Sequence, residues 1–181
     1  MIYGITGRSG AGKSTAAKEF ERYGLRHVDA DKLVHELQRP GTECTKELAR
    51  RFGEEILGPD GGINRRVLAP IVFANPRAKA DLERIVYKYL GIELARIEQE
   101  SKAKGILLDA IRLIESGRDC PIITVIAPER VLLSRIMARD CISREEALAS
   151  LRAQKPDHFY TEHADYVIIN DGDAESVARQ V

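Results

Sequence analysis

Three observations predict an α/β fold built on a mainly parallel, five-stranded sheet flanked by helices. Short apolar runs alternate along the 181 residues with stretches of helical periodicity, the order that β–α–β units produce. The runs are apolar almost throughout, as strands covered on both faces must be. The first run leads straight into a glycine-rich loop and then a helix-forming sequence, Ala16-Ala17-Lys18-Glu19-Phe20, the order in which a nucleotide-binding sheet begins.

The strands are expected at Ile2–Thr6, 26–29, Gly105–Asp109, 122–127 and 166–170. Between the second and third lies a long region without strand signal. It reads as helices over 42–52, 64–73 and 76–104, with a turn at Gly58-Pro59-Asp60-Gly61-Gly62 between the first two. Asn75-Pro76 has the form of a helix start, Asn capping and Pro at the first position. The helix it opens is long for a globular domain, and a break or bend is expected near Gly91. Gly117 and Pro121 punctuate the approach to the fourth strand, and a helix over Glu129–Asp140 follows it.

Gly7-Arg8-Ser9-Gly10-Ala11-Gly12-Lys13-Ser14-Thr15 fits the pattern G-x-x-x-x-G-K-[ST] from Gly7 to Ser14. Glycines let the backbone close on an anion and turn several N–H groups toward it. The helix that begins there adds its own unpaired N–H groups and the positive end of its dipole. Lys13 is placed to charge-pair β- and γ-phosphates, and the Ser14 hydroxyl to ligate Mg²⁺. A nucleoside triphosphate is the expected ligand, the alternative being an ordinary glycine-rich turn.

Lys and Arg together number 28, as do Asp and Glu. With no basic excess to attract a polyanion, nucleic acid is not expected as a partner. The 44% hydrophobic fraction suits a buried core, and the 31% charged fraction a solvated surface. No apolar run approaches about 18 residues, so no spanning helix is expected, and no secretory layout precedes the first strand. Cys44, Cys120 and Cys141 are widely spaced, without a C-x-x-C pair. They are expected as partly buried hydrophobes in a reducing, cytoplasmic setting. His27, His35, His158 and His163 show no metal-ligand spacing and are expected to be structural or exposed.

Phosphoryl transfer needs metal anchoring, acceptor activation and charge neutralisation beyond the loop itself. Asp109 closes the apolar run Gly105–Asp109, a layout that puts a carboxylate beside the loop for Mg²⁺; the alternative is a turn-forming Asp. Asp29 and Asp31 end the second strand. If the chain stays extended there, both carboxylates share a face at the carboxyl edge where α/β sheets bind ligands. One then serves as base and the other orients metal-bound water, with Asp29 the better base. Asp31 also suits an N-cap for a helix over 32–38. Arg135 and Arg139 lie one helical turn apart, as in a lid closing over phosphates. For Arg139, a surface ion pair with Asp140 is the competing reading.

Taken in order, these features resemble the dephospho-CoA kinases along nearly the full chain. The resemblance rests on Gly4-Ile5-Thr6-Gly7 with the loop from Gly10 to Thr15, then Val28-Asp29-Ala30-Asp31 with His35, then Pro40-Gly41-Thr42, Arg51-Phe52-Gly53 and Val72-Phe73. It continues through Leu108-Asp109, Glu115-Ser116-Gly117, Arg135, Met137-Ala138-Arg139-Asp140 and Ser143-Arg144-Glu145-Glu146-Ala147. It ends with Gln154, Ala164-Asp165, Ile168, Asn170 and Gly172. It implies the P-loop kinase fold, with a core over about 1–40, 105–134 and 164–181, a helical acceptor-binding insertion over about 41–104 and a small helical lid over about 135–163.

The implied reaction is ATP-dependent phosphorylation of the ribose 3′-hydroxyl of dephospho-CoA, with Mg²⁺ as cofactor, by a monomer or small homo-oligomer. In that reading Gly10, Ala11, Gly12, Lys13, Ser14 and Thr15 hold the ATP phosphates, and Asn170 and Gly172 border the adenine. Asp29, Asp31, Lys13 and Arg139 act on the transferred group, and Ser14 and Asp109 hold the metal. The chain departs from the family where a His-Pro pair is replaced by Tyr87-Lys88, and where a Pro-Leu-Leu run is replaced by Ile111-Arg112-Leu113. The stretch after Gln154, where a basic residue is often found, reads Asp157-His158-Phe159-Tyr160. Its loop carries Arg8-Ser9 in place of the usual Gly-Ile, closer to uridine-kinase-like loops. The alternatives are a P-loop kinase for another nucleoside, nucleotide or small hydroxyl acceptor, and a slow nucleotide switch. The switch would require a guanine-reading Asn-Lys-x-Asp element, which the sequence lacks.

Overall fold

The computed structural model describes the whole chain except Arg112, Arg118 and the side chain of Ala174; the departure at Arg112 lies outside the described residues. The chain forms two compact units, one of Met1–Asp29 with Lys102–Val181 and the other of Ala30–Ser101.

The first unit holds the sheet: β1 (Ile2–Thr6), β2 (Leu25–Asp29), β3 (Gly105–Asp109), β4 (Ile122–Ile126) and β5 (Tyr166–Ile169). Among the described residues their order is β2-β3-β1-β4-β5, and every pairing in it is parallel. β1 is therefore central, with β2 and β3 on one side and β4 and β5 on the other. A reversal of strand order of this kind opens a crevice at the carboxyl ends of the strands. The expectation that every strand is covered on both faces holds for the three inner strands and fails at the edge. Tyr166, Val167 and Ile169 of β5 are all exposed, because an edge strand has a neighbour on one side alone.

α1 (Lys13–Arg22), α6 (Glu129–Asp140), α7 (Arg144–Arg152), α8 (Asp157–Glu162) and α9 (Ala174–Gln180) complete this unit. Its core joins Ile5, Leu107, Ile123, Val125 and Ile168 of the strands to Ala16 and Ala17 of α1 and Leu132 and Ile136 of α6. The same cluster takes in Ala147 and Leu151 of α7. A full capping box starts α7: the Ser143 hydroxyl accepts from the Glu146 amide, and the Glu146 carboxylate accepts from the Ser143 amide.

The second unit is helical: α2 (Ala30–Leu37), α3 (Glu43–Phe52), α4 (Arg65–Ala74) and α5 (Pro76–Glu100), with a short 3₁₀ turn at Glu54–Ile56. Thr42, Asn64 and Asn75 cap α3, α4 and α5 with side-chain oxygens, so the expected starts are displaced by at most one residue. Cys44, Leu48, Phe52, Ile56, Leu68, Val72, Ile85 and Val86 form its own core. Two expectations are corrected here. α5 runs unbroken past Gly91 and stops at Glu100, before Lys104. One glycine costs a helix only about 1 kcal/mol, and this helix is anchored by buried Ile85, Leu90, Leu94 and Ile97. Asp31 is not an N-cap, because α2 already begins at Ala30 and places it in the first turn.

Candidate active site

The glycine loop leaves the carboxyl end of β1 and runs into α1 with Gly12 as N-cap in the left-handed conformation. Two glycines are sterically required. At Gly7 (φ 135) a Cβ would stand 2.2 Å from the Val125 carbonyl oxygen, and at Gly12 (φ 93) it would stand 2.0 Å from the Asn170 amide nitrogen. Gly10 also sits at positive φ, 83°. The Ala11 amide donates to the Arg8 carbonyl at 3.1 Å, closing a turn between them. Lys13 reaches back across the loop, its Nζ donating to the Gly7 carbonyl at 3.0 Å. Ser14 lies exposed in the first turn of α1, next to Thr15.

Behind the loop stands a bracket made by Asn170 and Arg135. Asn170, expected at the adenine, is 1% exposed; its amide group donates to the Ala11 carbonyl at 2.9 Å and accepts from Arg135 at 3.0 Å. Arg135 also donates to the carbonyls of Gly10 and Ala11, at 3.1 and 3.3 Å. A charged guanidinium therefore gathers loop carbonyls behind the loop. Hydrogen bonds to a charged donor stabilise by about 1.5–3 kcal/mol each. Gly172, two residues further on, is open to solvent, with nothing within 4 Å of a would-be Cβ.

The acidic pair that the sheet assembles is Asp29 with Asp109, and not Asp29 with Asp31. Asp29 and Asp109 are register partners across β2 and β3, and Asp109 also pairs in register with Ile5 of β1. Asp29 ends its strand and the helix starts at the next residue, so the extended stretch that would have put Asp29 and Asp31 on one face does not exist. Asp31 belongs to the helical unit. His27, expected to be structural, sits 3.5 Å from the Asp109 carboxylate, whose side chain is 16% exposed. That separation is too long for a well-formed hydrogen bond and leaves an ion-pair contact. The Asp109 carboxylate raises the His27 pKa above its usual value, against the opposing effect of burial. The signal was present in the alternation of β2, which places His27 on the same side as Asp29.

Arg139 is exposed in the last turn of α6 and holds Asp140 through two bonds of 2.7 Å. Both readings of it are therefore compatible, since an exposed neighbouring ion pair is worth little. Arg135, one turn back, is committed to the loop. Two loop residues reach the other way, toward α7 and α8. Arg8 donates to the Leu151 carbonyl at 2.9 Å and lies 3.8 Å from the Asp157 carboxylate, while the Ser9 amide donates to the Gln154 side chain at 2.7 Å.

Within the helical unit, Asp31, Val34, Gln38, Arg65, Leu68, Val72, Phe73 and Leu82 line an open groove of about 300 Å³. Arg65 is steadied there by Gln38, Nε to Oε1 at 3.1 Å, and Phe73 is 83% exposed. At the Tyr87-Lys88 departure, Lys88 and Tyr89 both bond the Glu47 carboxylate at 2.7 Å, tying α5 to α3. Among the described residues no helix is long and apolar enough to cross a membrane.

A glycine loop wound onto the central strand, braced from behind and flanked by two strand-end carboxylates, defines a phosphotransferase of the P-loop kinase class. The comparisons narrow the class. The profile of the dephospho-CoA kinase family matches residues 1–176, and the chain belongs to that family. A relative from Syntrophotalea carbinolica named dephospho-CoA kinase is 36% identical over 188 aligned positions, covering 100% of this chain and 89% of its own. TT1252 from Thermus thermophilus matches in structure with a TM-score of 0.78 at 34% identity, over 99% of this chain and 93% of that one. Dephospho-CoA kinase from Campylobacter jejuni matches with a TM-score of 0.62 at 26% identity, over 99% and 92% of the two chains.

Proposed function

We propose that this chain transfers the γ-phosphoryl group of ATP to the ribose 3′-hydroxyl of dephospho-CoA, yielding ADP and CoA. One observation carries the assignment of roles: Asp29 stands in register with Asp109 at the sheet edge where the phosphate loop begins. Gly10 through Thr15 hold the phosphates by their amides and Lys13 spreads its charge over the β- and γ-groups. Gly172 borders the adenine. The 3′-oxygen attacks phosphorus in line as the bond to the β–γ bridging oxygen breaks, and the hydroxyl proton passes to Asp29. Arg139 neutralises charge on the transferring group. The helical unit, with its Asp31- and Arg65-lined groove, receives the CoA portion of the acceptor.

Mg²⁺ fits the donors present. It prefers oxygen ligands and binds through one or two carboxylates together with substrate phosphates, and Asp109 and the exposed Ser14 hydroxyl supply oxygens beside the loop. When bound, the ion neutralises charge on the phosphates. His27 stands beside the Asp109 carboxylate, 3.5 Å away.

A coupled assay of ADP release tests the reading, with dephospho-CoA, adenosine, uridine and a pantetheine-type alcohol offered side by side. Dephospho-CoA should raise turnover well above basal ATP hydrolysis and the others should not. Stimulation by another acceptor alone would assign the chain to a different small-molecule kinase reaction.

A further inference from the structure

Two consecutive residues of the phosphate loop, Arg8 and Ser9, are joined to the α7–α8 segment. Arg8 is inserted rather than solvated: its side chain is 13% exposed, and it donates to the Leu151 carbonyl in the last turn of α7 at 2.9 Å. Its other terminal nitrogen faces Asp157, the first residue of α8, at 3.8 Å. Next to it, the Ser9 amide donates to Gln154 Oε1 at 2.7 Å. That amide group is oriented from the far side, since Gln154 Nε2 donates to the Ser150 carbonyl at 3.0 Å. Consecutive loop residues thus grip the end of α7, the connector and the start of α8. A glycine at position 8 could make none of the side-chain contacts.

We propose that Arg8, with Gln154, is a positioning residue that latches the α7–α8 segment to the phosphate loop before nucleotide arrives. The latch sets loop and segment in register with each other, so that ATP meets a site already assembled. Ordering that would otherwise be imposed by the nucleotide is already made in the free enzyme, and apparent affinity rises accordingly. The effect should fall on ATP binding more than on the chemical step, because pre-assembly favours ground state and transition state alike. In its link to turnover the inference rests on the kinase reading above; its exchange readout does not.

The test compares Arg8→Ala, Arg8→Lys and Gln154→Ala with the parent protein by amide hydrogen exchange and by steady-state kinetics. In nucleotide-free Arg8→Ala, amides over 144–162 should exchange about tenfold faster, the size expected for removing one charge-assisted hydrogen bond, while those of β1, β3 and β4 keep their protection. KM for ATP should rise about tenfold, with a smaller fall in kcat. Gln154→Ala should show the same pattern more weakly, and Arg8→Lys should restore part of the protection. Unchanged exchange over 144–162 would overturn the latch, as would faster exchange spread evenly over the sheet, or a fall in kcat at constant KM. A parent protein that ignores dephospho-CoA would sink the proposed reaction, yet the exchange pattern would still decide the latch.

Discussion

Asp29 and Asp109 end adjacent parallel strands as register partners, so their Cα atoms are separated by about one strand spacing, roughly 5 Å. Two carboxylates so close serve better in different roles than in the same one. Asp109 lies on the strand next to β1, the position from which the proposed reaction has it hold the metal. Asp29 is one strand further out and in that proposal takes the acceptor proton.

Replacing the base without changing its shape should therefore be costly. Asp29→Asn should lower kcat by about 10²–10⁴-fold, the range for general-base removal, while Asp109→Asn should act mainly by raising the Mg²⁺ concentration needed for half-maximal rate. Asp31→Asn should be milder than Asp29→Asn, because Asp31 sits in the first turn of α2. Steady-state kinetics over a Mg²⁺ series would separate the three. A larger loss in Asp31→Asn would reverse the roles of the two aspartates.

Lys13→Ala should abolish transfer and leave the fold standing. The substitution removes a hydrogen bond to the Gly7 carbonyl, worth about 1.5–3 kcal/mol for a charged donor. An unfolding transition lowered by only several degrees, together with undetectable ADP release, is the expected pair of results.

Gly7→Ala and Gly91→Ala should move stability in opposite directions. A Cβ at Gly7 meets the backbone oxygen of Val125 at 2.2 Å in a left-handed conformation, and the backbone of β4, paired on both sides, cannot step aside. At Gly91, inside α5, nothing lies within 4 Å of the added carbon. Thermal unfolding should show Gly7→Ala destabilised by more than about 2 kcal/mol and Gly91→Ala stabilised by about 0.5–1 kcal/mol.

Cys44 is buried and Cys141 exposed, so the two thiols should differ in reactivity. Burial pushes Cys44 up to about 11, whereas Cys141 is exposed. At pH 8 iodoacetamide should label Cys141 readily and leave Cys44 untouched in the folded protein, as peptide mass spectrometry would show. A folded-state pKa above the unfolded one means that Cys44 contributes stability fully below the unfolded value. That contribution declines from about pH 9 and is lost as pH passes about 11. Cys44→Ala should flatten this alkaline decline in a thermal-unfolding series.

Read by itself, the sequence determined the parts whose physics is local. The glycine loop, the strand runs and the starts of α3, α4 and α5 each depend on neighbours within a few residues, and they appear within about one residue of where periodicity and capping place them; α2, expected after an Asp31 cap, begins at Ala30 instead. It also determined the family, because the ordered motifs span nearly the whole chain. Which carboxylate stands beside Asp29 was decided only by strand order, since β3 is inserted between β1 and β2 and brings Asp109 in from distant sequence. The same holds for the partners of Asn170 and Arg135, whose side chains brace the loop, and for Arg8, whose partners lie beyond residue 150. Hydrogen bonds and ion pairs follow distance in space, and until the parallel sheet stacks its strands that distance is not a property of the chain.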